Sequence, residues 1–501
     1  MVSGNKENTM KKITIVGNGT AGVICSTFFK TYWKDSVEIE LIFDSKKDII
    51  GVGESTTPSI FEYLKYIGVS SRELIKKTNC LLKLGIKFKN WTGKNTHFYH
   101  NFNEPNINHN SLNDTYFLSS AYGIFKNEFD NDFYMQNFFL EENKVPQSFP
   151  DDTSHALHID AKKFSEYILS KFKNKISIID SEIINVEVEN NIIKSLILKD
   201  GRKIKSDLFI DASGFSRILF KNLDSEWINM SSYLPMNRAI PNPIKKIYKK
   251  IPTFTLAEST RNGWIWQIPL QDRYGSGYNY SSNFTTDEEA KKDFDKWLSK
   301  NHNVNLESDR IIKYETGYYK NQWIGNCICI GLASGFVEPL ESSSIHTIIR
   351  QAFYITNFYP LDINDFSIRT YNRKLQNVYK TIFDFIRLHY YIKRNDSKFH
   401  SYMNESTPDW IKELESKLKN SFINFYDFFD NDDLFTAMNY ITLCNGLGLI
   451  KSKKGIETYL SNNNFLDISK SCYQQIQKIK MINKHNAVDH DELIRSVKNL
   501  H

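Results

Sequence analysis

A glycine pattern near the start of the chain constrains the fold more than any other feature. Gly17, Gly19 and Gly22 have the spacing G-x-G-x-x-G, directly after an apolar run (13–16) and before a helical stretch (21–29). In such a turn the first glycine permits a tight bend, the second lets the backbone approach a pyrophosphate, and the third lets helix and strand pack closely. Free N–H groups at the start of the helix then face the phosphates. The pattern predicts a dinucleotide-binding βαβ unit.

A second strand-like run supports this unit. Residues 37–43 are largely apolar and are followed by Asp44, 27 residues after Gly17. An acidic residue near this spacing usually accepts a hydrogen bond from a ribose hydroxyl in such folds. We therefore expect an adenosine ribose at Asp44, with Thr20 and Ala21 of the glycine loop beside the phosphates. The motif itself does not distinguish FAD from NAD.

The rest of the chain divides into strand-rich and helix-rich parts. Short apolar runs predict further strands at 176–179, 183–189, 192–198 and 207–210, the middle ones as a small antiparallel meander, and partial alternation predicts a half-buried sheet at 254–280. From Ile345 onward the pattern is helical. We expect a disordered N-terminal tail (1–10), an α/β body with an inserted antiparallel sheet (11–350) and a helical region (351–501).

Composition excludes several classes of function. The net charge of +6 is spread along the chain, and no block of like charges is typical of a nucleic-acid-binding tail. No segment approaches the roughly 18 apolar residues of a membrane span. The six cysteines form no C-x-x-C pair, which predicts buried, reduced thiols in a cytoplasmic protein without a metal site. Whether Met1 or Met10 is the native start is left open.

A run of small and acidic residues between a strand-like segment and a helix carries the strongest chemical signal. Residues 331–344 read GLASGFVEPLESSS, with carboxylates at Glu338 and Glu341 followed by three serines. The ordinary interpretation of both acids is a favourable interaction with the dipole at a helix N-terminus. The row of hydroxyl groups and backbone N–H groups is also suited to a small ligand.

A second specific pattern lies in the middle of the chain. Residues 263–269 read Gly-Trp-Ile-Trp-Gln-Ile-Pro, which puts Trp264 and Trp266 on one face of a strand, where core packing is their ordinary role. Together with the glycine motif and the two-carboxylate run, this heptapeptide resembles the flavin-dependent halogenases of the tryptophan-halogenase type. The resemblance extends over about residues 11–400 and implies a doubly wound, glutathione-reductase-like FAD-binding fold.

The resemblance implies FAD as the cofactor. Residues 207–217 (DLFIDASGFSR) resemble the second flavin signature of the glutathione-reductase-like flavoproteins, and residues 51–58 (GVGESTTP) resemble the halogenase strap over the isoalloxazine ring. The aromatic hydroxylases of this superfamily have an aspartate where this chain reads GLAS at 331–334, which points away from them. Beyond the glycine loop and Asp44, the resemblance places cofactor contacts at Gly53, Glu54, Ser55, Val186, Asp211, Leu332 and Ile345.

The resemblance also implies a reactive lysine. Residues 84–91 read LGIKFKNW, and strand alternation places Ile86 and Phe88 on one face and Lys87 and Lys89 on the other. Composition alone makes either lysine a surface residue. Halogenases carry an essential lysine in a similar segment, Lys-Phe-x-Asn-Trp, where Lys87 matches. Such a lysine holds hypohalous acid by a hydrogen bond or as a haloamine and directs it to one ring carbon.

The carboxylate and the halide site follow from the same resemblance. Glu341 matches the family carboxylate that offsets charge on a cationic ring intermediate and accepts its proton, with Glu338 as the rival position. Ser343 and Ser344 match the place where family members carry Thr-Gly and bind halide through backbone N–H groups. Because serine adopts positive φ less readily than glycine, we expect Ser344 to constrain this loop. The choice among chloride, bromide and iodide stays open.

The substrate side is implied less specifically. His100 and Phe102 resemble residues that sandwich an indole ring, although a lone histidine beside aromatics is more often an ordinary core residue. Trp264 and Trp266 resemble the wall of the passage between flavin and substrate. Residues of about 84–150 and 220–320 are expected to contribute to the substrate side, and 351–501 to close it.

The resemblance therefore implies FADH₂- and O₂-dependent halogenation of an electron-rich small molecule, with aromatic compounds as the expected class and an indole as one option among them. A separate flavin reductase is the expected partner because no second nucleotide site is visible, and a homo-oligomer is left open. Two alternatives stay open at this point. One is a flavin-dependent monooxygenase, and the other is a flavin-binding redox protein without catalytic activity.

Overall fold

The computed structural model describes residues 10–47, 51, 54–102, 122, 124, 136–147, 155–245, 250–359, 361–424, 427–428, 434–462 and 465–499. Except for Met10, the tail expected at 1–10 lies outside these residues. Among the described residues, no helix combines the length and apolar content needed to cross a bilayer.

The described residues form twenty-five strands, numbered in chain order. They are β1 (Lys11–Val16), β2 (Val37–Phe43), β3 (Glu54–Ser55), β4 (Leu81–Lys83), β5 (Gly85–Lys89), β6 (His97–Asn101), β7 (Lys144–Pro146), β8 (Ala156–Ile159), β9 (Ser177–Asp180), β10 (Ile183–Glu189), β11 (Ile192–Leu198), β12 (Lys203–Ile204), β13 (Leu208–Asp211), β14 (Trp227–Asn229), β15 (Arg238–Pro241), β16 (Ile244–Lys245), β17 (Phe254–Ser259), β18 (Gly263–Pro269), β19 (Arg273–Tyr280), β20 (Ile312–Lys313), β21 (Gly317–Tyr319), β22 (Trp323–Ile324), β23 (Cys327–Cys329), β24 (Gly335–Phe336) and β25 (Ala487–Asp489).

The α-helices within the same residues are numbered likewise. They are α1 (Thr20–Trp33), α2 (Ser59–Tyr66), α3 (Ser71–Lys77), α4 (Gln136–Glu142), α5 (Ala161–Phe172), α6 (Asp287–His302), α7 (Ser343–Phe358), α8 (Asp365–His389), α9 (Lys398–Glu405), α10 (Asp409–Asn420), α11 (Ala437–Gly446), α12 (Lys454–Asn462), α13 (Leu466–His485) and α14 (His490–Asn499).

The nucleotide-binding body is built on a six-stranded sheet in the order β22-β23-β13-β1-β2-β9. All its strand pairs are parallel except β22–β23, so its central strands are apolar and buried on both faces. Helix α1 connects β1 to β2 and packs against α5 and α7, which explains why ten of its fourteen residues are buried. The predicted α/β fold with a βαβ start is confirmed.

The inserted sheet is larger than the sequence pattern indicated. Strands β20-β15-β19-β18-β17-β5-β6 form one sheet, with β16 also paired to β19. Its pairs are antiparallel except β17–β5, which is parallel. All seven residues of β18 are buried, because this strand is central in the sheet and covered on both faces. The sheet brings β18 beside β5 and β6 through β17 and so gathers the segments expected to hold the site.

The predicted meander at 183–198 is also confirmed, as the antiparallel strands β10, β11 and β12. The described part of the chain after Ser343 is helical, as expected, with one exception. Residues Ala487–Asp489 form β25, which pairs antiparallel with β7. The partner strand lies more than 300 residues earlier in the chain, so local periodicity could not reveal the pair.

Candidate functional site

A cavity of about 440 Å³ opens at the carboxyl ends of β1 and β2. Ligands of doubly wound folds bind at this edge of the sheet. The lining includes most of the positions expected to contact a cofactor, namely Gly17, Gly19, Thr20, Ala21, Asp44, Glu54, Ser55, Leu332 and Ile345. Residues 212–216, after β13, complete the wall on the side of the expected second flavin signature.

The three glycines of the loop have different surroundings. A Cβ on Gly22 would lie 1.8 Å from the carbonyl oxygen of Gly17, and one on Gly17 would lie 2.4 Å from that of Ala212. By contrast, nothing lies within 4 Å of a Cβ built on Gly19. The first and third glycines therefore permit close packing of the backbone, and the second leaves open space beside the N-terminus of α1. This space fits the pyrophosphate of a dinucleotide.

Two other positions expected to bind the cofactor, Asp211 and Val186, do not line the cavity. The buried carboxylate of Asp211 accepts hydrogen bonds from the backbone N–H groups of Leu219 and Phe220, both at 2.8 Å, so it holds the turn that lines the cavity. Val186, on β10, packs against an apolar core that includes Leu196 and Leu219. Gly53 lies outside the described residues.

The turn before α7 is suited to an anion. Ser343 and Ser344 line the cavity and begin the helix, so their N–H groups have no partner within it. Ser344, expected to constrain this loop, lies in the first turn of the helix, and the positive φ of the turn occurs at Ser342, whose φ is 59°. The first N–H groups of a sixteen-residue helix thus face the cavity.

Glu341 lies on the same turn, fully buried, and contacts two histidines. Its Oε1 is 2.7 Å from Nε2 of His389, and its two oxygens are 2.9 and 2.8 Å from Nδ1 of His100. Burial alone would raise the pKa of Glu341, but its contacts with His100 and His389 outweigh burial and lower the pKa to about 2. Glu341 is therefore a carboxylate.

His100, expected on the substrate side, makes polar contacts with both of its ring nitrogens. Its Nδ1 contacts Glu341 and its Nε2 is 3.0 Å from Nδ2 of Asn439. The ring is thus fixed by two hydrogen bonds. Glu341, His100 and His389 together form a carboxylate cluster. His389, the counterpart of His100 on α8, received no role from the sequence.

Lys83, and not Lys87, is the lysine beside this cluster. The Lys83 side chain is fully buried, and its Nζ donates to the carbonyl of Thr56 and to Oγ of Ser342, both at 2.9 Å. The same Nζ lies 4.6 Å from the ring centre of Phe102. Burial lowers the pKa of Lys83 to about 7, against the opposing charge of Glu341.

Lys87 lies on the neighbouring strand β5 in a different environment. Its side chain is half-buried, with Nζ 5.3 Å and 5.4 Å from the ring centres of Tyr99 and Phe254. Burial lowers its pKa, and the charge of Glu141 partly opposes this shift. The geometry therefore gives the role assigned to Lys87 no support and favours Lys83, four residues earlier.

Glu338, the rival carboxylate, contacts the wall of the cavity. It is completely buried, and its Oε2 accepts hydrogen bonds from Nε1 of Trp264 and the hydroxyl of Tyr390, both at 2.6 Å. Among the described residues its Oε1 has no partner. Burial raises the pKa of Glu338 to about 7, so it differs from Glu341 in charge as well as in position.

Trp264 and Trp266 line the cavity from β18. Their ring centres are 6.2 Å apart. The indole of Trp266 lies over Gly277, where a Cβ would come within 2.2 Å of the ring. The two rings thus form a rigid wall between the cavity and the sheet.

Comparison with known proteins agrees with this geometry. The family model for tryptophan halogenase matches residues 12–457. The tryptophan 7-halogenase RebH of Lentzea aerocolonigenes is 29% identical over 416 residues, covering 77% of this chain and 78% of that protein. The tryptophan 6-halogenase ThaL of Streptomyces albogriseolus is 28% identical over 442 residues, covering 83% and 81%.

Solved structures share the fold over almost the whole length. The tryptophan halogenase of Shewanella frigidimarina superposes with a TM-score of 0.86 at 25% identity, covering 98% of both chains. The flavin-dependent halogenase Xcc4156 of Xanthomonas campestris superposes with a TM-score of 0.85 at 24% identity, covering 97% and 98%. With a family model spanning this much of the sequence, the chain belongs to the tryptophan halogenases, which are flavin-dependent oxidoreductases.

Proposed function

We propose that this protein uses FADH₂ and O₂ to halogenate an electron-rich aromatic small molecule through hypohalous acid. The observation that carries this proposal is the turn at 339–344. On one side its helix N-terminus lines the cavity, and on the other Glu341 and Ser342 meet a buried lysine. One short segment thus lies between a cavity suited to flavin and halide and a buried lysine that could direct an electrophile.

The cofactor would occupy the cavity between the glycine loop and the turn. When bound, reduced flavin supplies the reaction with O₂ that oxidises halide to hypohalous acid. Gly19, Asp44 and the backbone at 212–216 would hold the adenosine and pyrophosphate portion, and Glu54 and Leu332 would lie along the flavin portion. The N–H groups of Ser343 and Ser344 would hold the halide, because the start of a long helix favours an anion.

Lys83 would receive the hypohalous acid. Free hypohalous acid reacts with many groups, so a single directing contact is needed for selectivity. Because burial lowers the pKa of Lys83 to about 7, about half of the lysine is a neutral amine at that pH. A neutral amine can act as a nucleophile and form a haloamine, and an ammonium can only donate hydrogen bonds. The ring centre of Phe102 lies 4.6 Å from Nζ of Lys83, so one side of this amine faces an aromatic ring.

Glu341 would act on the ring. Attack of the electrophile makes the ring cationic, and a nearby carboxylate stabilises that charge and accepts the departing proton. The curated relatives are named for tryptophan positions 6 and 7, so an indole is the substrate class we propose first. His389 and Asn439 reach the cluster from α8 and α11, which supports the proposal that the helical region closes the substrate side.

The proposal is tested by a substrate screen. The purified protein is supplied with FAD, NADH, a separate flavin reductase, one halide at a time and a panel of indoles and phenols, and products are detected by mass. We expect a halide-dependent product with the isotope pattern of chlorine or bromine, or the mass shift of iodine. A hydroxylated product formed without halide would instead identify a monooxygenase.

The protein alone should oxidise NADH or NADPH only at background rate, even with FAD present. The physical reason is that the cavity at the glycine loop is the dinucleotide site expected for FAD itself, so the reduced flavin must come from a reductase. The measurement is the loss of nicotinamide absorbance with and without added reductase. Rapid oxidation by the protein alone would contradict the separate-reductase arrangement.

Two glycine variants should separate folding from cofactor binding. Gly22→Ala places a methyl group 1.8 Å from a carbonyl oxygen, so the free energy of unfolding should fall by about 1–3 kcal/mol. Gly19→Ala meets no protein atom within 4 Å, so it should leave the unfolding transition unchanged and weaken FAD binding. The measurements are denaturant unfolding of the protein without FAD, and FAD titration by fluorescence. Equal FAD affinity in Gly19→Ala and the parent would contradict the proposed pyrophosphate position.

A further inference from the structure

The hydrogen-bond partners of His389 assign a proton to each of its ring nitrogens. Nδ1 lies 3.0 Å from the carbonyl oxygen of Phe385, and a carbonyl only accepts, so Nδ1 carries a hydrogen. Nε2 lies 2.7 Å from Oε1 of Glu341, and a carboxylate also only accepts. A second proton must therefore lie between His389 and Glu341.

The partners of His100 assign that histidine differently. Oδ1 of Asn439 accepts from the backbone N–H of Thr436 at 2.7 Å, which fixes the orientation of the amide and turns Nδ2 toward His100. Because Nδ2 donates to Nε2 of His100 at 3.0 Å, Nε2 is bare and Nδ1 carries the hydrogen. His100 is thus a neutral donor to Glu341, and the additional proton of the cluster belongs to the His389–Glu341 pair.

The surroundings place this proton on the histidine. Glu341 is faced by the donor of His100 from β6, by Lys83 from β4 and by His389 from α8, and all three favour the carboxylate over the acid. The His389 ring lies 4.9 Å from the ring of Phe88, a distance at which an aromatic ring stabilises a cation.

We propose that His389 is an imidazolium, protonated on both nitrogens, and that its charge keeps Glu341 ionised without requiring Lys83 as the counter-ion. The consequence of this charge for Lys83 as a reacting amine rests on the proposed function. If Lys83 were the cation that balances Glu341, it would keep its proton and lose its nucleophilic form. His389 is thus a positioning residue that balances the carboxylate and frees the lysine to react.

The protonation state is measured directly by ¹⁵N NMR of histidine-labelled protein without flavin, halide or substrate. The chain has twelve histidines, so signals are assigned by their loss in His389→Gln and His100→Gln. Buried His346, whose pKa burial lowers to about 3, is an internal reference for a neutral ring. At pH 7.5 we expect His389 with two protonated nitrogens, His100 with one, and His389 with one in Glu341→Gln.

A pH profile tests the consequence for catalysis. In His389→Gln the Glu341 carboxylate lacks its cation, so Lys83 should keep its proton up to a higher pH. The pH at which product formation is half-maximal on the acid side should therefore rise by about one pH unit. At pH 7 the neutral fraction of the lysine falls from about one half to about one tenth, so we expect about a fivefold loss relative to the parent, recovered near pH 9. A purely structural defect would lower the rate at every pH alike, and that result contradicts the proposal.

The protonation state of His389 and the proposed halogenation can be rejected independently of each other. A bare nitrogen on His389 in the parent protein overturns the inference whatever the variants do, even if halogenation depends on Glu341. Conversely, a doubly protonated His389 in a protein that halogenates nothing in the screen would leave the assignment intact and reject the proposed function. If His389→Gln does not fold, the comparison of parent and Glu341→Gln spectra still decides the protonation state, with signals assigned by His100→Gln and elimination of the other histidines one at a time.

Discussion

Replacing Lys83 with alanine should abolish halogenation while FAD binding and consumption of reduced flavin continue. The buried amine is the group beside Glu341 that can hold hypohalous acid, and removing a reacting side chain commonly costs on the order of 10³-fold or more. Product is measured by mass with reductase, halide and an accepted substrate, and peroxide leakage is measured in parallel. Lys87→Ala is the matched control, since its half-buried amine lies between Tyr99 and Phe254, and it should retain most of the activity.

A third variant separates the two ways in which a lysine can hold the electrophile. Lys83→Arg keeps a donor and a charge, but guanidinium stays protonated and is a poor nucleophile. Loss of activity in Lys83→Arg, as complete as in Lys83→Ala, is the expected result for a haloamine. If Lys87→Ala is inactive and Lys83→Ala active, the lysine of β5 is the reacting group and the assignment made here is wrong.

The lysine also shows where sequence reasoning reaches its limit. Lys83 and Lys87 stand four residues apart in the same apolar stretch, so composition and alternation describe them equally well. The distinction arises because β4 ends at Lys83 and pairs with β8, whereas Lys87 lies on β5 between β6 and β17. Pairing between distant strands decided which amine is buried against Ser342.

The glycine loop was predictable for the opposite reason. Its turn, the preceding strand and the following helix are neighbours in sequence, and only glycine allows the close backbone contacts found at Gly17 and Gly22. Glu341 and the tryptophans of β18 likewise stand in local motifs, and the resemblance assigned their roles from those motifs. His389 and Asn439 were not assigned roles, because their contacts with the carboxylate cluster depend on how α8 and α11 pack against β6.

Replacing Glu341 with glutamine should slow product formation on the order of 10²-fold or more. The neutral amide cannot offset positive charge on the ring or accept its proton, although it preserves the size of the side chain. Consumption of reduced flavin and formation of hypohalous acid should change less, because those steps need the cavity and the start of α7. Product rate and peroxide leakage, measured together, give this comparison.

Glu338→Gln is the control for that experiment and a prediction in its own right. Because burial raises the pKa of Glu338 to about 7, a large share of this carboxyl group is already neutral near that pH. A glutamine oxygen can still accept from Nε1 of Trp264 and the hydroxyl of Tyr390, so the wall of the cavity should persist and activity should stay within a few-fold of the parent. Loss of product in Glu338→Gln with activity retained in Glu341→Gln would transfer the role of the base to Glu338.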